Sequence, residues 1–328
     1  LASSAASDVY KRQSDYRLEN NEFIIENYDS KAPFTSFLPG LTGEDGIPLW
    51  SFYVNRGQCL TSFGIEKKEN PIMEFQPAVI AYENTSLKGF RTFIRKNDEY
   101  FEPFSVNYDA KVKRTMRIKA NSFRIIETDY THNFKTEITY FILPHEPFGA
   151  LVRNVTFTNL GEEADFEILD GMSRIIPYGI PGTKFTTMAN LMRSYNTVSN
   201  LKNDVPLFFS RIESDDAAEM KENVGGYYYM CFDNNGTICP IYDPCALFEN
   251  ETSLQFPINF IMHGLKFVAG YSQHFTNKIS CAFAPVAKKL STNQNYTLST
   301  LCGFAHNEDF INRLIPHILD KELSLIHI

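Results

Sequence analysis

Thr136-Glu137-Ile138-Thr139-Tyr140-Phe141-Ile142-Leu143-Pro144 and Val152-Arg153-Asn154-Val155-Thr156-Phe157-Thr158-Asn159-Leu160-Gly161-Glu162-Glu163-Ala164-Asp165-Phe166-Glu167-Ile168 decide the fold class. In the first run Ile138, Tyr140 and Ile142 share one face of an extended chain. In the second, Val155 and Phe157 precede a polar turn, after which Ala164, Phe166 and Ile168 face one way while Asp165 and Glu167 face the other. Period-two alternation is the mark of a half-buried strand. The stretch Val155–Ile168 therefore predicts two strands joined through Asn159-Leu160-Gly161-Glu162-Glu163 as a hairpin.

Working outward, Arg117–Glu127, Leu207–Glu213, Gly226–Asp233, Asn259–Tyr271 and Ile279–Val286 read as further strands, rich in Phe, Tyr, Ile and Thr. Turn punctuation recurs at Pro39-Gly40, Gly43-Glu44-Asp45-Gly46, Asn70-Pro71, Pro181-Gly182 and Asn234-Asn235-Gly236. Many short strands with frequent turns predict an all-β protein built as a large antiparallel β-sandwich. Helical spacing is nearly absent until Asn307–Glu322, where Phe310, Ile311, Leu314 and Ile318 share a face and Asn307 is placed to cap. The organisation expected is a sandwich over 14–305 followed by a helix over 306–322.

The ends have a different character. Read back into DNA, Asp8–Gln13 is one translation of a transposase mosaic-end sequence, and Leu323–Ile328 translates its reverse complement. Leu1–Gln13 and Leu323–Ile328 are therefore set aside as adapter-like scars. The expectation is a fragment of a longer protein, open at its C-terminal end.

The chain has 328 residues, 31 Lys and Arg against 39 Asp and Glu, and a net charge of −8. A mildly acidic chain with scattered cations lacks the basic face of a nucleic-acid binder. It also has no apolar run long enough to span a bilayer. Cys59, Cys231, Cys239, Cys245, Cys281 and Cys302 are irregularly spaced, with no Cys-x-x-Cys pair. That pattern predicts reduced thiols in a cytoplasmic protein and no metal centre.

Candidate chemistry is sparse. Glu74, Glu127, Asp129 and Asp170 could each belong to a carboxylate pair, but the sequence brings no two of them to a working separation. His132, His145, His263 and His274 show no metal-ligand spacing, and Ser36 and Ser173 lie in no nucleophile elbow. No catalytic residue and no bound cofactor are expected in this chain. The most distinctive segment is Pro33–Ile94. Within it, Tyr53, Asn55, Arg56 and Gln58 set an aromatic ring and several hydrogen-bonding groups around Gly57. Sugar recognition uses that mixture of flat apolar surface, amide and guanidinium. Arg56 paired with Glu74 in a plain strand and turn is the alternative. Tyr53, Asn55, Arg56 and, further on, Arg91 are the candidate substrate-binding residues. Phe and Tyr are abundant, 28 and 17, beside the single Trp50. Most of them are expected in the core, and any that are exposed could stack on sugar rings.

The segment Pro48-Leu49-Trp50-Ser51-Phe52-Tyr53-Val54-Asn55-Arg56-Gly57-Gln58, with Ser62-Phe63-Gly64-Ile65, Asn70-Pro71-Ile72-Met73-Glu74-Phe75 and the strand pair quoted above, resembles the N-terminal domain of cellobiose phosphorylase-like proteins. These are inverting glycoside phosphorylases of glycoside hydrolase family ninety-four and its β-glucan phosphorylase relatives. The resemblance spans most of Phe23–Glu322. It implies a supersandwich of galactose-mutarotase-like form, then linker helices, then catalysis in an α/α barrel beyond this chain. It implies phosphorolysis of a β-linked glucan or glucoside to α-glucose 1-phosphate, with inorganic phosphate as co-substrate. One carboxylic acid protonates the leaving oxygen while phosphate attacks from the opposite face. The sandwich would support the barrel, wall the substrate cleft and join a homodimer. The arginine-rich tract of typical cellobiose phosphorylases has no counterpart here, Lys111-Val112-Lys113-Arg114 being the nearest. That difference favours a divergent relative acting on longer β-glucans. A free-standing carbohydrate-binding sandwich is the alternative. A third reading, a mutarotase-like sandwich with its own chemistry, requires His and carboxylate partners on one concave face.

Overall fold

The computed structural model describes residues 15–38, 40–43, 46–106, 111–144, 146–181, 187–212 and 221–320. The two adapter-like ends, His145, Gly182 and Glu213 lie outside them. The described residues are mostly β, with antiparallel pairing between all named strands.

The largest sheet has eleven strands. Its order is β1 (Tyr16–Glu19), β2 (Glu22–Glu26), β10 (Val112–Ile118), β11 (Ser122–Asp129), β12 (Phe134–Ile142), β13 (Ala150–Asn159), β20 (Asn295–Ala305), β17 (Gly226–Asp233), β16 (Leu207–Ser210) and β15 (Asn196–Ser199), with β18 (Gly236–Ile238) paired to β17. A four-stranded sheet runs β19 (Ser280–Leu290), β14 (Ala164–Ile175), β8 (Phe90–Lys96) and β9 (Glu99–Phe101). A five-stranded sheet runs β3 (Thr35–Leu38), β5 (Ile47–Val54), β6 (Leu60–Ile65) and β7 (Pro71–Met73), with β4 (Leu41–Thr42) paired to β5. The main core lies where inward residues of all three sheets meet. Ile138, Val155 and Phe157 come from the large sheet, Ile94, Phe166 and Ile168 from the second, and Leu49, Tyr53 and Phe63 from the third. Each such side chain, fully buried, contributes roughly 1.5–3 kcal/mol of transfer free energy.

The alternation that predicted strands is confirmed, and the hairpin is corrected. β13 pairs with β12 and β20, whereas β14 pairs with β8 and β19. The polar turn carries the chain from one sheet of the sandwich to another. Asn159 fixes it: its amide donates to the carbonyls of Glu162 and Leu290, and its Oδ1 accepts from Gly161 N. Arg117–Glu127 likewise divides into the end of β10, a turn and β11.

Asn259–Tyr271 is not a strand. It is a helix, Ile258–Ala269, interrupted at Gly264, where φ is 76°. The backbone requires glycine there, and a Cβ would also displace the end of Arg95, whose Nη1 would lie 2.0 Å from it. Its buried Phe260, Leu265 and Val268 pack with Phe93, Leu169 and Phe283 on the outer side of the four-stranded sheet. In chain order the helices are α1 (Ala78–Lys88), α2 (Ala189–Arg193), α3 (Cys245–Phe248), α4 (Ile258–Ala269) and α5 (Glu308–Asp320). α5 is the helix expected near the C-terminal end. Asn307 Oδ1 accepts from Phe310 N at 2.8 Å, and Ile311 and Ile318 pack beneath it against Val152, Met230 and Leu301.

Candidate functional site

β5 decides what the five-stranded sheet presents on each side. Leu49, Ser51 and Tyr53 point inward, so Trp50 and Phe52 point outward. Trp50 lies over Gly64, the residue opposite it on β6, where an added Cβ would meet the indole at 2.5 Å. Trp50 Nε1 donates to Lys67 O at 3.0 Å, which fixes the ring. Phe52 sits 6.1 Å from Trp50, and Phe75 lies 5.7 Å from Trp50 and 5.9 Å from Phe52, edge-on to both. Phe37, opposite Phe52 in the register, extends the patch. Phe37 is 61% exposed and Phe75 44%. Four aromatic rings thus form an open face on the segment singled out from the sequence.

The four predicted binding residues do not gather there or anywhere else. Tyr53 is buried and stacks on Phe123 with centroids 4.3 Å apart. Asn55 is fully buried. Its amide nitrogen donates to the carbonyls of Tyr28, Lys31 and Ala32, and its oxygen accepts from Phe34 N. Arg91 is buried with both arms on Glu102, at 2.7 and 2.8 Å, and on the carbonyls of Leu254 and Gln255. Arg56 alone is partly open, with its guanidinium over the Tyr82 ring at 5.2 Å. Glu74 pairs with Arg174 at 3.7 Å, so the proposed Arg56–Glu74 bridge is replaced. Gln58 belongs to an interior network in which its oxygen accepts from Arg153 and its amide donates to Thr92. Thr92 in turn donates to Asp170, which pairs with Arg153 across the two layers.

Two of the candidate carboxylates do come together. Glu127 and Asp129 are two apart on β11 and share its inward face. They line a cavity of about 190 Å³ at the rim of the sandwich, walled by Tyr100, Phe101 and Phe256 and by Arg114 and His132. Glu127 Oε2 accepts from Arg114 Nε and from Phe104 N, both at 2.7 Å. Phe104 takes φ 60°, an uncommon backbone for an aromatic residue, which turns its N–H onto the carboxylate. Arg114 also donates to Asp29 at 2.7 Å. Burial holds the Glu127 carboxyl above its ordinary range, with Arg114 opposing and the Asp129 charge reinforcing. Asp129 accepts from the backbone of Thr131 and His132, and its second oxygen lies 2.5 Å from His132 Nδ1. The imidazole stacks on Phe101 at 4.2 Å. On its other side, His132 Nε2 lies 3.6 Å from Glu99 Oε1. The rim cavity therefore holds a buried carboxylate paired with Arg114 and, close by, an imidazole set between Asp129 and Glu99. Among the described residues, no group of three or more His, Cys, Asp or Glu is placed to hold a metal ion.

The aromatic face was readable in principle. Period-two alternation through Leu49–Tyr53 places Trp50 and Phe52 on the opposite side of the strand from the predicted contact Tyr53. The rim cavity was half visible, since the candidates Glu127, Asp129 and His132 come from one short stretch, but Tyr100, Arg114 and Phe256 reach it from distant strands and loops.

No protein-family model matches the chain, and no curated protein matches it. Solved structures do. A bacterial glucoamylase complexed with acarbose aligns with TM-score 0.42 and 10% identity, over 89% of this chain and 39% of that one. A protein named as a kojibiose phosphorylase, from the human microbiome, aligns with TM-score 0.40 and 9% identity, over 94% of this chain and 36% of that one. A protein named as an aldose 1-epimerase, from Escherichia coli K12, aligns with TM-score 0.39 and 8% identity, over 83% of this chain and 99% of that one. The chain thus spans well under half the length of the first two. At TM-scores this low, neither the fold described above nor the functional reading below rests on them.

Proposed function

We propose that this chain is a carbohydrate-handling β-sandwich: the N-terminal domain, without catalytic residues of its own, of an inverting phosphorylase acting on β-glucans or cellobiose-type glucosides. The observation that carries this reading is the open face of Phe37, Trp50, Phe52 and Phe75. Flat apolar rings fixed on a rigid sheet suit the C–H faces of pyranose units, and a row of rings suits a chain of them. The fully enclosed charges Arg153 and Asp170 are committed to each other and to the fold, which agrees with a supporting role. Under this reading inorganic phosphate is the co-substrate, and both the acid and the phosphate donors belong to an α/α barrel that the sandwich supports. The enzyme would be a cytoplasmic homodimer. No helix among the described residues is long and apolar enough to cross a membrane. The test is β-glucan binding with and without Trp50 and Phe75.

The rim cavity favours a second reading, since His132, Asp129 and Glu127 meet the requirement for a sandwich with proton chemistry of its own. Opening the ring of a reducing sugar needs one group to take the anomeric hydroxyl proton and one to give a proton to the ring oxygen. Polarimetry of freshly dissolved α-glucose separates the two readings. The supporting-domain reading expects no acceleration of anomerisation by this chain. An acceleration that His132→Ala abolishes would replace it with the second.

A further inference from the structure

Three cations from distant parts of the chain line a second cavity of about 230 Å³. Arg174 comes from the end of β14, Arg193 from the last turn of α2 and Lys278 from the residues before β19. Lys278 Nζ is held by both oxygens of Asp243, at 3.1 and 2.9 Å. Asp243 is itself fully buried and accepts from the backbone of Cys245 and His274. Arg174 is less well matched. Its side chain is 24% exposed, and its ion pair with Glu74 is long, at 3.7 Å. Burial pulls that guanidinium below its ordinary range, and Glu74 only partly offsets this. Ser173, next to Arg174 and 2% exposed, lines the same cavity, and its hydroxyl has no hydrogen-bond partner. A buried hydroxyl left without a partner is destabilising, so such groups are normally satisfied by something. Glu249 and Glu251 also line the cavity; they can accept hydrogen bonds but would repel a bare anion.

We infer that this cavity binds a phosphate monoester of a sugar, with the phosphate on Arg174, Arg193 and Ser173 beside the Lys278 charge and the sugar hydroxyls donating to Glu249 and Glu251. The cationic end supplies charge-assisted donors of the kind phosphate oxygens take. The carboxylates in the same lining suit hydroxyls and favour the ester over free phosphate. The site is separate from the aromatic face and does not depend on it.

The experiment is calorimetric titration of this chain with α-glucose 1-phosphate and, separately, with inorganic phosphate. The same titrations are made on Arg174→Gln and on Arg193→Gln, whose substitution is at an exposed residue. Binding of the ester, weaker binding of inorganic phosphate and a loss of at least tenfold in each variant are expected. No ester binding at millimolar concentration, or unchanged binding in Arg193→Gln, overturns the site. Equal binding of both ligands overturns the sugar half of the inference. Cys245 gives a readout that needs no variant, because it lines the cavity with Sγ 3.4 Å from Lys278 Nζ. Saturating ester should slow its alkylation, located by peptide mapping, and an unchanged rate counts against the site.

Discussion

Arg153→Met is expected to lower the stability of the domain by about 3–5 kcal/mol, the usual cost of stranding one partner of a buried ion pair. Arg153 and Asp170 are fully buried in the middle of the sandwich, Arg153 on β13 and Asp170 on β14. The guanidinium lies 4.8 Å from the Phe90 ring and also takes Tyr140 Oη as an acceptor at 3.2 Å. Removing it leaves Asp170 with only the Thr92 hydroxyl, at 2.6 Å, in a site without water access. The control is the double variant Arg153→Met/Asp170→Leu. It removes both charges, so it should recover most of the loss. A residue of about 1–3 kcal/mol should persist, because Gln58 Oε1 then has no donor. Urea denaturation of the three proteins measures this directly. A single variant as stable as the wild type would show that the pair does not hold the two layers together.

Asp243→Asn should cost less, about 1–3 kcal/mol, because it leaves one of two backbone N–H groups facing an amide donor, while the partly exposed Lys278 can hydrate once its anion is gone. It should also change the pH profile. Burial alone would raise the Asp243 carboxyl, but the N–H groups of His274 and Cys245 and the Lys278 ammonium together hold it below its ordinary 3.8. A depressed carboxyl adds stability that is present above its unfolded value and is lost as pH falls through the folded one. Lys278 is opposite in sign. Asp243 outweighs burial and raises it above 10.5, so its contribution is lost only as pH rises past that value. The wild type should therefore lose this increment below about pH 4, and the variant should show a smaller acid-side loss, the part left by other depressed carboxyls such as Glu26 and Asp233. Thermal melts of both proteins from pH 3 to pH 8 provide the comparison, and parallel curves would remove Asp243 from this role.

Much of the fold was legible because strands advertise themselves by alternation. Thr136–Leu143 and Gly226–Asp233 needed no tertiary information. The Asn159–Glu163 turn did. Both flanking strands bury one face, whether they pair with each other or cross to another sheet, and what separates the two cases is Asn159 reaching Leu290, more than a hundred residues away. In α4 the helical spacing Phe260, Leu265, Val268 was present but obscured by β-branched and aromatic residues and by Gly264. Of the four predicted binding residues none lies on the aromatic face, Tyr53 being on the other side of its strand. Asn55 and Arg91 have the chemistry of ligand contacts, yet the same donors serve equally well to tie down Tyr28, Lys31 and Glu102. The phosphate cavity left no local trace, because Arg174, Arg193 and Lys278 are distant in sequence and meet only in the folded chain.

The most direct measurement is calorimetric titration of this chain with β-linked glucan oligosaccharides of increasing length, beside Trp50→Ala and Phe75→Ala. A carbohydrate-handling aromatic face predicts that the wild type binds and that affinity grows with chain length. Each ring removed should then cost at least tenfold, about 1.4 kcal/mol or more, as exposed aromatic anchors do. A wild type that ignores every oligosaccharide, or variants that bind them unchanged, would contradict it.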